Sequence, residues 1–190
     1  MSMKRLAAIG IIAAALTLTA CTGGTTGPTA SPTTTPTPTP TTAGPVEPPT
    51  SEEEAITAAT GVLEQSLILR GEVNAAGGTD TSAYEALMTG AALTKAQAEA
   101  ALTAENGDVT SGAVTVDIGE GYTAEWEGVE FGYVTLPTCT DFSTFVITTS
   151  SGSPAPRPEI LQIPVDYQVV YLADEKAWKV YDTIVTGDTC

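Results

Sequence analysis

The segment Thr22–Thr50 limits what this chain can fold into, because it holds eight of the 13 prolines. Nearly all of its other residues are Thr, Gly, Ala or Ser. So few apolar side chains cannot offset the backbone entropy that folding removes, and proline favours an extended polyproline II conformation. We therefore predict a disordered linker over residues 21–50, reaching up to roughly 90 Å at about 3.1 Å per residue. One folded domain is predicted over residues 51–190.

The residues before Cys21 have the three parts of a secretory signal peptide. Lys4 and Arg5 supply positive charge, an apolar run of about thirteen residues follows, and small residues precede the cysteine. The apolar run is shorter than the roughly 20 residues that a membrane-spanning helix needs. We expect residues 1–20 to be a signal peptide that is removed.

The four residues Leu18-Thr19-Ala20-Cys21 resemble the lipobox of bacterial lipoproteins at every position. This resemblance implies cleavage between Ala20 and Cys21, lipid attachment to the Cys21 thiol and acylation of the new amino group. Two or three acyl chains hold a protein firmly on a membrane, whereas one chain binds marginally. We expect a lipid-anchored protein on the extracytoplasmic face of the cell membrane. The alternative is an ordinary signal peptide followed by a chance cysteine.

The charge of the chain excludes several classes of function. It has 7 Lys and Arg against 23 Asp and Glu, a formal net charge of −16, and no histidine. So acidic a chain repels the phosphates of nucleic acid, and we expect no binding to DNA or RNA. Without histidine, Ser-His-Asp and Cys-His catalysis and HExxH zinc sites are excluded. No calcium-loop motif is present, so we expect neither a metal nor a cofactor.

Three helices are predicted at the start of the domain, each after a capping box in which Ser or Thr is followed by Glu or Gln three positions later. The boxes are Ser51 with Glu54, Ser82 with Glu85, and Thr94 with Gln97. The first helix carries a stripe at three- and four-residue steps, and the residues of this stripe are Ile56, Ala59, Leu63, Leu67 and Arg70. The first predicted helix ends before Gly77-Gly78. The second runs from about Ala83 to Met88, with Gly90 as the stop, and the third runs from about Lys95 to Leu102.

After Asn106-Gly107 the apolar residues recur every second position, which predicts strands. The strands are expected around 114–118, Tyr122–Glu127, Val129–Thr138, Phe142–Thr149, Ile160–Leu172 and Ala177–Val185, with a turn at 119–121. Pro164 cannot donate to a strand ladder, so we expect an edge or a bulge there. Helices followed by antiparallel strands predict an α+β fold, with the helices packed on one face of a strongly curved sheet.

Two cysteines, Cys139 and Cys190, lie in the predicted domain. In an exported protein such a pair is normally a disulfide, which here closes a loop of about fifty residues. The alternative, a pair of free or redox-active thiols, lacks a CxxC motif and a neighbouring cation to lower a thiol pKa. We predict the disulfide.

The second half of the domain resembles a known group of proteins. Four features are similar to actinobacterial lipoproteins with a domain of unknown function. They are the pattern C-x-D-x-S at Cys139–Ser143, a turn near Gly152, a long strand ending at Leu172, and Trp178-Lys179-Val180 before a last cysteine. Those lipoproteins resemble the nuclear transport factor 2-like superfamily. The resemblance implies a cone in which three helices pack against the curved sheet.

Aromatic residues are candidates for lining a pocket at the open end of such a cone. The five candidates are Tyr84, Tyr133, Tyr167, Tyr171 and Trp178, with Trp126 and Tyr181 as further members. The alternative is that these side chains fill the core. Asp182 is a conceivable general base for isomerase chemistry, although a water-facing role is the simpler interpretation. Asp141 and Ser143 suit a hydrogen-bonded strand end, and the acidic run 125–130 suits either a partner surface or a protected edge strand.

Our leading hypothesis is a non-catalytic, lipid-anchored domain that binds or scaffolds another protein of the cell envelope. The alternative is a carrier that holds a small apolar ligand in the cone cavity, and a distant third is an isomerase-type or hydrolytic enzyme. A closed and filled interior favours partner binding, whereas an apolar void of about 300 Å³ or more favours a ligand. An enzyme needs a buried carboxylate in that void.

Overall fold

The computed structural model describes residues 46–190 and has an α+β architecture, as predicted. The signal peptide, Cys21 and the linker up to residue 45 lie outside the described residues. The helices are α1 (Glu52–Ala75), α2 (Tyr84–Leu87) and α3 (Gly90–Asn106). The strands are β1 (Val109–Ser111), β2 (Thr115–Ile118), β3 (Tyr122–Trp126), β4 (Val129–Asp141), β5 (Val146–Thr148), β6 (Gln162–Leu172) and β7 (Ala177–Val185).

Helix α1 begins at the first predicted capping box. The Ser51 hydroxyl accepts a hydrogen bond from the Glu54 amide at 3.2 Å. The Glu54 carboxylate accepts from the amide and the hydroxyl of Thr50, both at 2.9 Å, rather than from the amide of Ser51. Acidic residues in the first turn also suit the positive end of the helix dipole.

The other two predicted capping boxes are wrong. Helix α2 is a single turn whose N-cap residue is Ala83, which has no side chain that can cap, and the Ser82 amide donates to Asp80 Oδ1. Helix α3 begins at Gly90, five residues before the predicted start, so Thr94 lies inside it and donates to the Gly90 carbonyl at 3.2 Å. Gly90 therefore opens α3 rather than closing α2. Its φ of +55° and the Tyr181 ring, 2.7 Å from where a Cβ would stand, both require glycine.

The main sheet is antiparallel with strand order β2-β4-β6-β7, and β3 also pairs with β4. Strands β2 and β3 pair with successive parts of the same side of β4, so residues 119–121 interrupt one long edge instead of forming the predicted turn. The β3–β4 hairpin turns at Glu127 and Gly128, whose φ values of 48° and 83° fit a type I′ turn. The sheet ends at β2 and β3 on one side and at β7 on the other, so it is not closed, and its strong curvature stays a prediction.

The predicted strand Phe142–Thr149 is divided in the structure. Only β5 is extended, and it pairs with the unpredicted β1 in a separate two-stranded sheet. Pro164 lies within β6, opposite Cys139 of β4 and one residue before the β7 pairing begins at Val165. The Pro164 carbonyl accepts from the Thr186 amide at 3.0 Å, and Thr186 lies just after the end of β7. The amide proton that proline lacks would point to the same side, beyond the end of β7, so no ladder hydrogen bond is lost. The predicted edge position is confirmed.

The core lies between α1 and one face of the main sheet. Alternate residues of β4 and β6 face the helices, among them Leu136, Tyr167 and Val169. Helix α1 meets them with Leu63 and the small Ala59, both fully buried. Burial of these apolar side chains stabilises the fold by about 25 cal/mol per Å².

Candidate functional site: an apolar groove with a polar inner cluster

An open groove of about 1020 Å³ lies between the second half of α1 and one end of the main sheet. Residues 110–116 and the end of β7 complete its walls. Most of its lining side chains are apolar, including Leu67, Val116, Phe142, Phe145, Ile163 and Val185. A concave, mainly apolar site of this size is the usual form of a small-molecule pocket.

The chain fold leaves this end of the sheet uncovered. At the other end, the Thr89 amide donates to the Val180 carbonyl at 2.9 Å, so the α2–α3 connection covers β7 there. Val46 covers the same region, because its amide donates to Lys176 O at 2.8 Å and its carbonyl accepts from the Tyr171 hydroxyl at 2.6 Å. The groove forms where these covering segments are absent.

Residues 46–50, which the sequence places at the end of the linker, contact the folded domain. Pro49 is buried, and Glu47 forms a salt bridge with Lys176 at 2.9 Å. The described chain therefore enters the fold at the end of the sheet that lies away from the groove. Between Ile163 and Tyr171 of β6, this distance is roughly 26 Å at the rise of an extended strand.

A polar cluster forms part of the inner wall of the groove. The Arg70 guanidinium of α1 forms an ion pair with Glu99 of α3, and the Asn74 amide nitrogen donates to Glu99 Oε1 at 2.9 Å. Burial lowers the pKa of Arg70, but the charge and hydrogen bond of Glu99 raise it by more, so the guanidinium stays charged. All three residues line the groove.

Three polar atoms in this region are buried without a hydrogen-bond partner among residues 46–190. They are Arg70 Nε, Asn74 Oδ1 and the Tyr84 hydroxyl. Burial, and then the charge of Glu99, raises the pKa of Tyr84 to about 12. Each unpaired buried group costs about 1–3 kcal/mol, so three in one place are a departure from the ordinary pairing of buried polar groups. A residue with a strongly perturbed pKa beside a cleft, such as Tyr84, marks a candidate functional site.

The structure does not bring the five predicted pocket aromatics together. Tyr167 lines the groove, and Tyr84 lies fully buried beside the Arg70–Glu99 pair. Tyr171 and Trp178 pack edge to face with ring centroids 5.6 Å apart, at the covered end of the sheet. Most of these side chains are therefore core residues, which was the stated alternative.

The remaining candidate, Tyr133, belongs to a second aromatic group. Its ring stacks on Trp126 with centroids 5.7 Å apart, and Trp126 lies 5.2 Å from Tyr181. Tyr133 alternates along β4 with the core-facing Val134 and Leu136, so this group lies on the sheet face away from α1. None of its three members lines the groove.

The acidic candidates have structural partners. The Asp182 carboxylate bonds Lys95 Nζ at 2.6 Å and the Thr183 amide at 2.7 Å. Partial burial raises the pKa of Asp182, but Lys95 and Thr183 lower it by more, so the net pKa lies below the usual value. Asp141 accepts hydrogen bonds from the Ser143 hydroxyl, from Gln162 at 2.9 Å and from the Ser143 amide at 2.6 Å. These bonds lower the pKa of Asp141 and confirm the strand-end role.

Cys139 and Cys190 form the predicted disulfide, with Cα atoms 5.9 Å apart. The bond joins the end of the chain to β4, 51 residues earlier. Cys139 faces away from α1, since its neighbours Thr138 and Thr140 are the buried residues on the helix side. The disulfide therefore lies outside the groove.

In the sequence, Arg70 stands out only as part of the α1 stripe, and no pattern there marks Asn74 or Glu99. A charged residue at the inward position of an apolar stripe was the available signal, because a buried charge needs a partner. The partner could not be named from the sequence, since Glu99 lies on another helix 29 residues away. The groove itself depends on how α1 and the sheet are placed, which no local pattern records.

Two negative findings apply to residues 46–190. In that part of the chain no helix is long and apolar enough to cross a membrane. Within the same range, no three His, Cys, Asp or Glu side chains lie close enough together to hold a metal ion.

No protein-family model matches this sequence, and no curated protein matches it. A solved structure described as the intermembrane space region of the chloroplast protein ARC6 is similar in fold, with a TM-score of 0.50 and 15% sequence identity. The similarity covers 69% of this chain and 95% of that chain. At this identity the likeness concerns the fold alone, and it supports the α+β arrangement of helices on an antiparallel sheet.

Proposed function

We propose that this domain binds a small, largely apolar molecule in the groove between α1 and the main sheet. The observation that carries this proposal is the groove of about 1020 Å³ with its apolar lining. The groove is an open cleft, and its volume is close to the upper end of the roughly 300–1,000 Å³ that is typical of clefts and cavities that hold small molecules. The carrier, which the sequence offered as the alternative, is therefore better supported than the scaffolding domain.

The polar inner cluster supports binding over a purely structural cleft. An apolar site with a few polar groups at one place can hold a ligand in one orientation. Here Arg70, Asn74 and Glu99 supply such groups, and two of them have unused hydrogen-bonding atoms. In the inner wall of the groove, the Glu99 carboxylate is already bound by Arg70 and Asn74. The acidic candidate Asp182 is bonded to Lys95 and does not line the groove, so we propose binding without a catalytic step.

The lipobox sequence supports an extracytoplasmic location for this activity. In our proposal, acyl chains on Cys21 attach the protein to the outer face of the cell membrane, and the Thr/Pro-rich linker spaces the domain from the surface. We propose also that the sheet is the curved wall of a cone of the nuclear transport factor 2-like type, with the groove at its open end. Metabolic labelling with a radioactive fatty acid tests the anchor: we expect label in the wild type and none in Cys21→Ala.

Native mass spectrometry of the protein purified from the cells that produce it tests the binding. We expect an added small-molecule mass that is lost on denaturation. Val185→Arg places a charge in the groove, whereas its neighbour Ile184→Arg lies on the strand face that does not line the groove. Both residues are exposed, so neither change disturbs the core.

We expect the bound mass to disappear in Val185→Arg and to remain in Ile184→Arg. A wild-type protein that carries no small molecule, or equal occupancy in the two variants, contradicts the proposal. An associated protein instead of a small mass favours the scaffolding hypothesis.

A further inference from the structure

The groove carries an unbalanced charge. Three carboxylates, those of Glu64, Glu72 and Glu99, line it together with one guanidinium, that of Arg70, which gives a net formal charge of −2. Arg70 pairs with Glu99. Within residues 46–190, Glu64 and Glu72 take part in none of the four salt bridges. These two carboxylates therefore set the electrostatic field that a ligand meets.

Glu64 and Glu72 lie on the α1 wall of the groove beside apolar side chains. They are two turns apart, about 12 Å along the helix axis, and both are exposed. Leu67 and Ile68 lie between them on the same face, as the three- and four-residue steps require. The wall thus presents an apolar strip with a negative charge at each end.

The inner part of the same wall offers a hydrogen-bond acceptor. Asn74 is 2% exposed and lines the groove, and its Oδ1 atom has no partner in the described part of the chain. A donor N–H from a ligand satisfies this atom. The unpaired donor nearby, Arg70 Nε, belongs to a guanidinium whose charge Glu99 already offsets.

We propose that the ligand is a cationic amphiphile, with an apolar body in the groove and a protonated amine on the α1 wall. This inference rests on the proposed function. The apolar body packs against Val116, Phe145 and Ile163. The amine lies at the inner part of the α1 wall, where Asn74 Oδ1 accepts one of its N–H bonds, and the exposed carboxylates of Glu64 and Glu72 attract it from farther along the wall. An amphiphile with a carboxylate head meets two unpaired negative charges, so Coulomb repulsion opposes its binding.

Isothermal titration with three probes of equal chain length tests the proposal: decylamine, 1-decanol and decanoate. The protein is the full chain with Cys21→Ser, which leaves residues 46–190 unchanged, at probe concentrations below micelle formation. In dilute salt we expect decylamine to bind about tenfold more tightly than decanoate, with decanol between them. The difference shrinks at high salt, because exposed charges are screened.

Two charge-matched variants locate the effect. Glu64→Gln with Glu72→Gln is expected to reduce the preference for decylamine over decanoate to about twofold. Glu85→Gln with Glu105→Gln removes the same net charge from exposed positions outside the groove and is expected to keep the preference.

Binding of decanol without a preference for decylamine overturns this inference and leaves the proposed function standing. A preference that survives Glu64→Gln with Glu72→Gln also overturns it. If none of the three probes binds, the proposed function itself is contradicted.

Discussion

Replacement of Gly78 by alanine tests the contact that builds the inner wall of the groove. Gly78 follows the end of α1, has a φ of +71°, and its amide donates to the Val73 carbonyl at 2.9 Å. A Cβ at this position would lie 2.9 Å from the carbonyl carbon of Ala100 in α3 and closer still to its oxygen. The glycine thus allows α1 and α3 to approach closely, one residue from Glu99.

The expected cost of Gly78→Ala has two parts. A left-handed backbone conformation costs a residue with a Cβ about 1–2 kcal/mol. The contact with Ala100 is with the backbone, which cannot rotate away as a side chain can, so overpacking adds about 1–3 kcal/mol. We therefore expect Gly78→Ala to lower the free energy of unfolding by about 2–5 kcal/mol.

Gly77 provides the matched control. Its φ is +85°, but no atom lies within 4 Å of the position that a Cβ would take. Gly77→Ala is therefore expected to cost only the backbone part, about 1–2 kcal/mol. Urea unfolding followed by tryptophan fluorescence measures both variants. Equal losses in the two variants would refute the close α1–α3 contact.

Three further predictions concern single interactions. Replacing both Cys139 and Cys190 by serine is expected to lower the free energy of unfolding by up to about 4 kcal/mol, because the unfolded chain regains the freedom of a 51-residue loop; unchanged urea midpoints would count against it. Tyr84→Phe removes a buried hydroxyl that has no partner within residues 46–190, so we expect a stability equal to the wild type or about 1 kcal/mol higher at pH 7. In the folded protein the pKa of Tyr84 is raised to about 12, so between roughly pH 10 and 12 the unfolded state loses this proton first. The wild type therefore loses stability as the pH rises through this range, whereas Tyr84→Phe does not. Urea midpoints at pH 7 and over this range check both the stability of the variant and this pH dependence. The pKa of Asp182 is lowered, so its ion pair with Lys95 stabilises the fold above about pH 4 and this stabilisation fades as the pH falls. Because the pair is partly exposed, it contributes less than about 1 kcal/mol. Asp182→Asn is expected to make the free energy of unfolding depend less on pH on the acid side, and a pH dependence equal to that of the wild type would contradict this.

Local patterns in the sequence predicted much of the fold. The capping box at Ser51 and the period-two runs after residue 107 correspond to α1 and most of the main sheet, because caps and periodicity depend on neighbouring residues. The box at Thr94 failed because tertiary contacts decided the start of α3. Gly90 fits against the Tyr181 ring, and Tyr181 lies on the last strand of the sheet.

The candidate site was less accessible from the sequence. Arg70 and Glu99 meet only because α1 and α3 cross, and the apolar side chains of the groove come from both ends of the domain. The aromatic residues drew attention because their side chains are large. Size alone does not separate a pocket wall from a core, and Tyr171 and Trp178 proved to be core residues.

The most direct test of the account is a residue-resolved map of where an apolar ligand binds. Amide chemical shifts of the chain with Cys21→Ser can be recorded by NMR while 1-decanol is added. We expect saturable shifts at Val116, Phe145 and Ile163, with little change at Trp178 at the covered end of the sheet. An absence of shifts, or shifts confined to the sheet face that carries Trp126, would contradict a ligand-binding groove.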